Sequence, residues 1–210
     1  MSHVSHHRYP LPLALLLYAA PALAQEVPVA PAVGSDSPEA VVAREDGGNC
    51  FVFQDYVVST RPLPDGAGEV IHVDRRGAGA GPETTCAGEL SGQVLQLEGA
   101  DEARFFFGLE APYLLVDAGT GPEYRDLTVY DLGSGEAVFQ DGYFAGQPVR
   151  IREDGRLEYH VPLPREEAGG RYPCPQAGEW GTFGFEERVV VALPGGEMQR
   201  TGEVQCSYRM

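Results

Sequence analysis

Val149-Arg150-Ile151-Arg152 leads through Glu153-Asp154-Gly155 into Arg156-Leu157-Glu158-Tyr159-His160-Val161. Two alternating runs flank an Asp-Gly pair, whose glycine tolerates the positive φ that tight hairpin turns require. The stretch reads as a β-hairpin, and its surroundings repeat the pattern. Upstream, Tyr113-Leu114-Leu115-Val116-Asp117 breaks at Ala118-Gly119-Thr120-Gly121-Pro122, and Leu127-Thr128-Val129-Tyr130-Asp131 breaks at Gly133-Ser134-Gly135. Downstream, Glu187-Arg188-Val189-Val190-Val191-Ala192-Leu193 turns through Pro194-Gly195-Gly196 and returns toward Cys206.

The earlier chain carries the same signals. Phe51–Ser59 is rich in β-branched and aromatic residues and stops at Arg61-Pro62-Leu63-Pro64-Asp65-Gly66. In Glu69–Asp74, Val70 and His72 lie on the side opposite Ile71 and Val73, and Gln93–Leu97 and Arg104–Gly108 follow. No long apolar pattern of period 3.6 interrupts them. The fold class expected is all-β: a single antiparallel domain over 49–210, a sandwich or a partly open barrel.

Leu127–Phe139, with its Val-Tyr-Asp-Leu strand and Gly133-Ser134-Gly135-Glu136 turn, resembles the strand–turn–strand of a β-propeller blade. That resemblance implies a small propeller as an alternative, although no second copy of the unit recurs at the spacing of a blade. Phe105–Val161 also resembles a segment of uncharacterised exported bacterial proteins, a group with no function to lend.

Toward the N-terminus the reading changes. Met1–Arg8 is a short basic start, Leu11–Ala20 is apolar, and Ala22-Leu23-Ala24 offers small residues for a peptidase. Residues 1–24 are therefore expected to be a signal peptide cut before Gln25, because prolines at 10, 12 and 21 punctuate a run too short to span a bilayer. Residues 25–48, rich in Ala, Pro, Gly and Ser, read as a flexible tether, with Ser37–Arg44 able to form a short helix.

Export frames the cysteines. Cys50, Cys86, Cys174 and Cys206 are an even set in an oxidising compartment, so two disulfides are expected. Three pairings are possible, and Cys50–Cys86 with Cys174–Cys206 is favoured because each pair brackets a compact stretch. The net charge of −16, with arginine as the basic residue and no lysine, makes nucleic acid and anionic membranes poor partners. The address expected for the mature chain is the periplasm or the medium.

Candidate chemistry is sparse. His72 and His160 are the histidines of the mature chain, both in alternating strand patterns that favour packing roles. Asp117, Thr120, Glu123, Asp126 and Asp131 cluster around one double turn and are candidates for a calcium site, although aspartates also end strands by satisfying turn backbone. Glu158, Glu186 and Glu187 are candidates for acid–base work on a glycosidic bond, but Glu186 and Glu187 point to opposite faces of a strand. Tyr172 and Trp180 are candidates for an aromatic binding surface, whereas Phe183 and Phe185 suit a core beside Cys174. No zinc-type spacing, serine elbow or cofactor motif is present in the mature part, and no cofactor is expected.

The function expected is a non-catalytic binding domain for a protein or polymer of the envelope or its surroundings. A hydrolase using carboxylates is the alternative, and a calcium-stabilised module is a third. An enzyme requires a concave pocket holding two carboxylates, or a carboxylate beside His72 or His160, whereas a binding domain requires a flat or aromatic patch.

Overall fold

The structure, a computed structural model, describes residues 37–79, 81–88, 90–99, 102–168, 170–175, 178 and 182–209. The expected signal peptide and its cut before Gln25, together with Trp180, lie outside the described residues.

Strands appear where β-branched and aromatic residues alternate, and each turns back on its predecessor. The first sheet contains β1 (Ala40–Ala43), β2 (Asn49–Val52), β3 (Tyr56–Pro62), β4 (Glu69–Arg75) and β5 (Leu95–Leu97). The second contains β6 (Arg104–Glu110), β7 (Tyr113–Ala118), β8 (Tyr124–Asp131) and β9 (Glu136–Phe144), and the third β10 (Arg150–Ile151), β11 (Arg156–Leu163), β12 (Phe183–Ala192) and β13 (Met198–Tyr208). All neighbours are antiparallel and consecutive, so each sheet is a meander. Two short helices, α1 (Pro82–Ala87) and α2 (Arg165–Ala168), complete the described elements.

The three sheets stack, and alternation within β7 explains how. Leu114 and Val116 pack with Phe51, Val58 and Ile71 of the first sheet, whereas Leu115 packs with Leu157, Tyr159 and Val189 of the third. Phe51 and Phe106 meet across the first interface at 4.7 Å between ring centroids, and Phe139 and Tyr159 across the second at 5.7 Å. Fully burying each such aliphatic side chain contributes about 1.5–3 kcal/mol. Alternation sends Phe106 to the first sheet and Phe107 to the core shared with the third, and a β-bulge between Phe106 and Gly108 shifts the register with β7 by one residue.

The all-β antiparallel expectation holds, with a third layer added to the sandwich and no sheet closed into a barrel. The meander wiring of the blade-like hairpin recurs in all three sheets, although the residues do not repeat.

Ser37–Arg44 contains no helix. Ala40–Ala43 instead pairs with Val52–Asn49 as an edge strand inside the stretch read as a tether, because Val41 and Val42 find apolar partners there. The hairpin turns at Gly135, Gly155 and Gly195 carry φ of 75°, 75° and 62°, the left-handed backbone their sequences anticipate.

Both favoured disulfides form. Cys50–Cys86 ties β2 to α1, and Cys174–Cys206 ties the loop after α2 to β13. Two such bonds suggest an oxidising, exported environment. Among the described residues no helix is long and apolar enough to cross a membrane.

Candidate functional site

The carboxylates singled out by sequence are held by arginines. Glu158, on β11, accepts from Arg150 Nε at 3.0 Å and Nη2 at 2.6 Å, with Arg152 and Arg188 at 3.7 and 3.8 Å. Glu187 accepts from Arg200 Nη1 at 2.7 Å and from the Gly202 amide at 3.0 Å. Glu186 is fully buried, pairs with Arg209 and accepts from Ser207 Oγ at 2.7 Å. Burial is the largest influence on the Glu186 carboxyl and raises its pKa despite Arg209.

These three glutamates do not form one site. Glu158 lies opposite Val190, four residues along β12 from Glu186, which is roughly 13 Å of strand. Glu186 and Glu187 engage separate partners, as strand alternation requires.

The acidic double turn is likewise spread out. Asp117 is buried, with Arg125 Nε donating at 2.7 Å and Tyr143 Oη at 2.9 Å, and burial raises its pKa against the pull of Arg125. Asp131 caps a turn by accepting from the Gly133 amide at 2.6 Å, five residues and roughly 17 Å along β8 from Asp126. Glu123 lies 3.8 Å from Arg209, and Thr120 is exposed. Among the described residues no three acidic, histidine or cysteine side chains are placed to share a metal ion.

The aromatic candidates divide as well. Tyr172 is half-buried against the core of Leu163, Ala168 and Phe185, so it fills that cluster rather than standing out as a platform. Phe183 and Phe185 meet edge to face at 5.7 Å beside Cys174 and Cys206, in keeping with a core role.

Several clefts open among the described residues: one of about 570 Å³ holds Glu153, Asp154 and Glu158 among Arg150, Arg152 and Arg188, and one of about 520 Å³ lies where the second and third sheets part. Ala118, Tyr124, Tyr143, Val161, Pro162 and Met198 supply most of the apolar wall of this inter-sheet cleft, with Arg125, Asp126, Asp141 and Arg200 around them. Tyr124 and Met198, at 47% and 38% exposure, are two of the three large hydrophobic side chains left exposed among the described residues. Three of the polar groups are fixed in advance: Arg125 by Asp117, Arg200 by Glu187, and Asp141 by Tyr159, whose hydroxyl donates at 2.6 Å. Desolvation and the neighbouring aspartates hold Tyr143 and Tyr159 well above the ordinary tyrosine range, so both remain protonated donors.

Asp126 and Asp141 both line this cleft, yet Asp141 pairs with Leu127, the neighbour of Asp126, so their side chains leave the second sheet on opposite faces. A carboxylate does stand beside His72: Glu98 is 3.7 Å from Nε2, too far for a hydrogen bond, while Nδ1 lies 3.1 Å from the Leu90 carbonyl. His160 is half-buried between Glu158 and Arg188, and desolvation lowers its pKa.

The arginine partners were the part sequence reading missed. Each lies on a different strand or beyond a turn from its carboxylate. The available signal was Arg150, Arg152 and Arg156 spaced to share one face of a hairpin with Glu158.

No family model, curated protein or solved structure matches the chain.

Proposed function

We propose that this protein is an exported, non-catalytic β-domain that binds a polymer chain of the cell envelope or its surroundings in the cleft between the second and third sheets. The observation that carries this reading is the exposure of Tyr124 and Met198 at a cleft in which Arg125, Asp141 and Arg200 already have partners. A half-exposed tyrosine ring, backed by Arg209 and set beside prepositioned hydrogen-bonding groups, suits a sugar-like chain, and little ordering of the site is left to oppose binding. The expected address is the periplasm or the medium.

The test is calorimetric titration of wild type, Tyr124→Ala and Met198→Ala with cellohexaose, chitohexaose and hexagalacturonate, with reducing ends counted in parallel. Binding of at least one oligomer, weakened about tenfold in Tyr124→Ala and with no new reducing ends, supports the reading. Binding of none, or equal binding by the variants, overturns it.

A hydrolase is the second reading, favoured by Glu98 beside His72. It requires new reducing ends that disappear in His72→Gln.

A further inference from the structure

The face of the third sheet that points away from the second carries a feature independent of the cleft. Ile151, Leu157, Tyr159, Val189 and Val191 point inward to the shared core, so alternation directs Arg150, Glu158, His160 and Arg188 outward. Register places Arg150 across from Glu158 and Arg188 across from His160, and the Arg152 amide donates to the Arg156 carbonyl at 2.9 Å. Four of the chain's arginines, 150, 152, 156 and 188, thus collect around one hairpin in a chain of net charge −16.

Their acceptors are unevenly shared. Asp154 takes both Nε, at 2.9 Å, and Nη2, at 2.5 Å, of Arg156. Glu158, only 5% exposed, takes two donors of Arg150 on its Oε1. Arg152 makes no hydrogen bond through its guanidinium among the described residues: its nearest acidic oxygens are 3.8 Å away on Asp154 and 3.7 Å away on Glu158. Arg188 reaches Glu203, but its Nη1 stops 3.8 Å from Glu158 and its Nε is buried without a partner. His160 Nδ1, beside it, is also buried without a partner. A cleft of about 570 Å³ opens between Arg150, Arg152, Arg188 and the Glu153-Asp154 turn.

We infer that this cleft is an oxyanion-binding site in which Arg152 and Arg188 grip a carboxylate or phosphate group of a ligand, with Arg150 and Glu158 as the fixed floor. Arg150 offsets the charge of Glu158, so the floor orients the guanidiniums without consuming those of Arg152 and Arg188. A guanidinium presents five N–H groups in a planar fork, and that fork matches the two oxygens of a carboxylate or phosphate. An arginine held about 3.7 Å from its neighbours' oxygens has donors left for such a group. The acidic remainder of the surface disfavours long polyanions, so the ligand is a small acid or an acidic end group.

The experiment is calorimetric titration of the full mature chain, in low salt, with inorganic phosphate in one arm and sodium galacturonate in the other. Wild type is expected to show saturable binding in at least one arm, and the stronger arm identifies the oxyanion. Arg152→Ala is expected to weaken binding at least tenfold and Arg152→Lys to weaken it less. Arg171→Ala, which removes the same charge from an exposed site elsewhere, leaves it unchanged. Arg152 is 38% exposed, so its replacement leaves the fold intact, and an unchanged melting temperature without ligand verifies this. No saturable binding in either arm overturns the inference, and so does equal weakening in Arg171→Ala.

Discussion

Arg209 occupies the space that a side chain at Gly184 would need. A Cβ placed on Gly184 would fall on the guanidinium of Arg209, which stacks on Phe144 at 4.3 Å and Tyr124 at 4.8 Å and pairs with the buried Glu186. One side chain near the C-terminus thus joins the second sheet to the third and neutralises a carboxylate without solvent. Gly184→Ala is therefore expected to destabilise the fold by about 3 kcal/mol or more, because it displaces Arg209 and leaves Glu186 charged and unpaired. Urea unfolding measures this, and a midpoint within error of wild type would contradict it.

Removing the arginine and removing the carboxylate have unequal effects. Arg209→Met strands a fully buried charge at Glu186, whereas Arg209→Met combined with Glu186→Leu removes both charges. Breaking a buried pair costs about 3–5 kcal/mol, while replacing both members with apolar groups is often neutral. The double variant is expected to be more stable than Arg209→Met alone, and a double-mutant cycle by urea unfolding checks the order.

Stability should depend on pH through three carboxyl groups. Burial raises the pKa of Glu69, Asp117 and Glu186 above their ordinary values of 4.5, 3.8 and 4.5. A group whose folded pKa is raised contributes stability that is fully present below its unfolded pKa and is lost as the pH rises through the folded one. His160 acts in the opposite sense: its lowered pKa gives stability above pH 6.5 that is lost as the pH falls through the folded value. In the window just above pH 4.5, Glu69→Gln should therefore flatten the gain in melting temperature on acidification. His160→Gln should remove a loss that sets in as the pH falls below 6.5. Parallel melting curves of the three proteins would refute this if their slopes against pH were the same.

Disulfide removal is expected to lower stability by about 3–4 kcal/mol per bond, since each closes a loop of some thirty residues in the unfolded chain. Cys50 and Cys86 are buried in a small core with Val52 and Val57, whereas Cys174 and Cys206 are only half-buried against theirs, so Cys50→Ala with Cys86→Ala should cost at least as much as Cys174→Ala with Cys206→Ala. Unfolding midpoints of the two double variants decide this.

What the sequence disclosed follows the range of the interactions involved. Hairpins at Gly135, Gly155 and Gly195 were legible because turn chemistry and alternation act within a few residues. The pairing of β1 with β2 was not, because Ala40-Val41-Val42-Ala43 has no polar alternation and gains its partners only from Asn49–Val52. The three-layer stack was hidden for a related reason. Leu114-Leu115-Val116 is apolar throughout, as a strand covered on both faces must be, but such a run does not say what covers it. The candidate site was the least legible part, because Tyr124, Met198 and the arginine partners come together only when two sheets meet.

Whether the inter-sheet cleft binds a ligand is tested most directly by NMR on protein carrying labelled methionine methyl groups and labelled tyrosine rings, titrated with chitohexaose, cellohexaose and hexagalacturonate. At least one oligomer is predicted to shift Met198 and Tyr124 together along one saturable curve, leaving Tyr56 of the first sheet unmoved. Shifts that avoid Met198 and Tyr124, or none with any oligomer, would contradict the account.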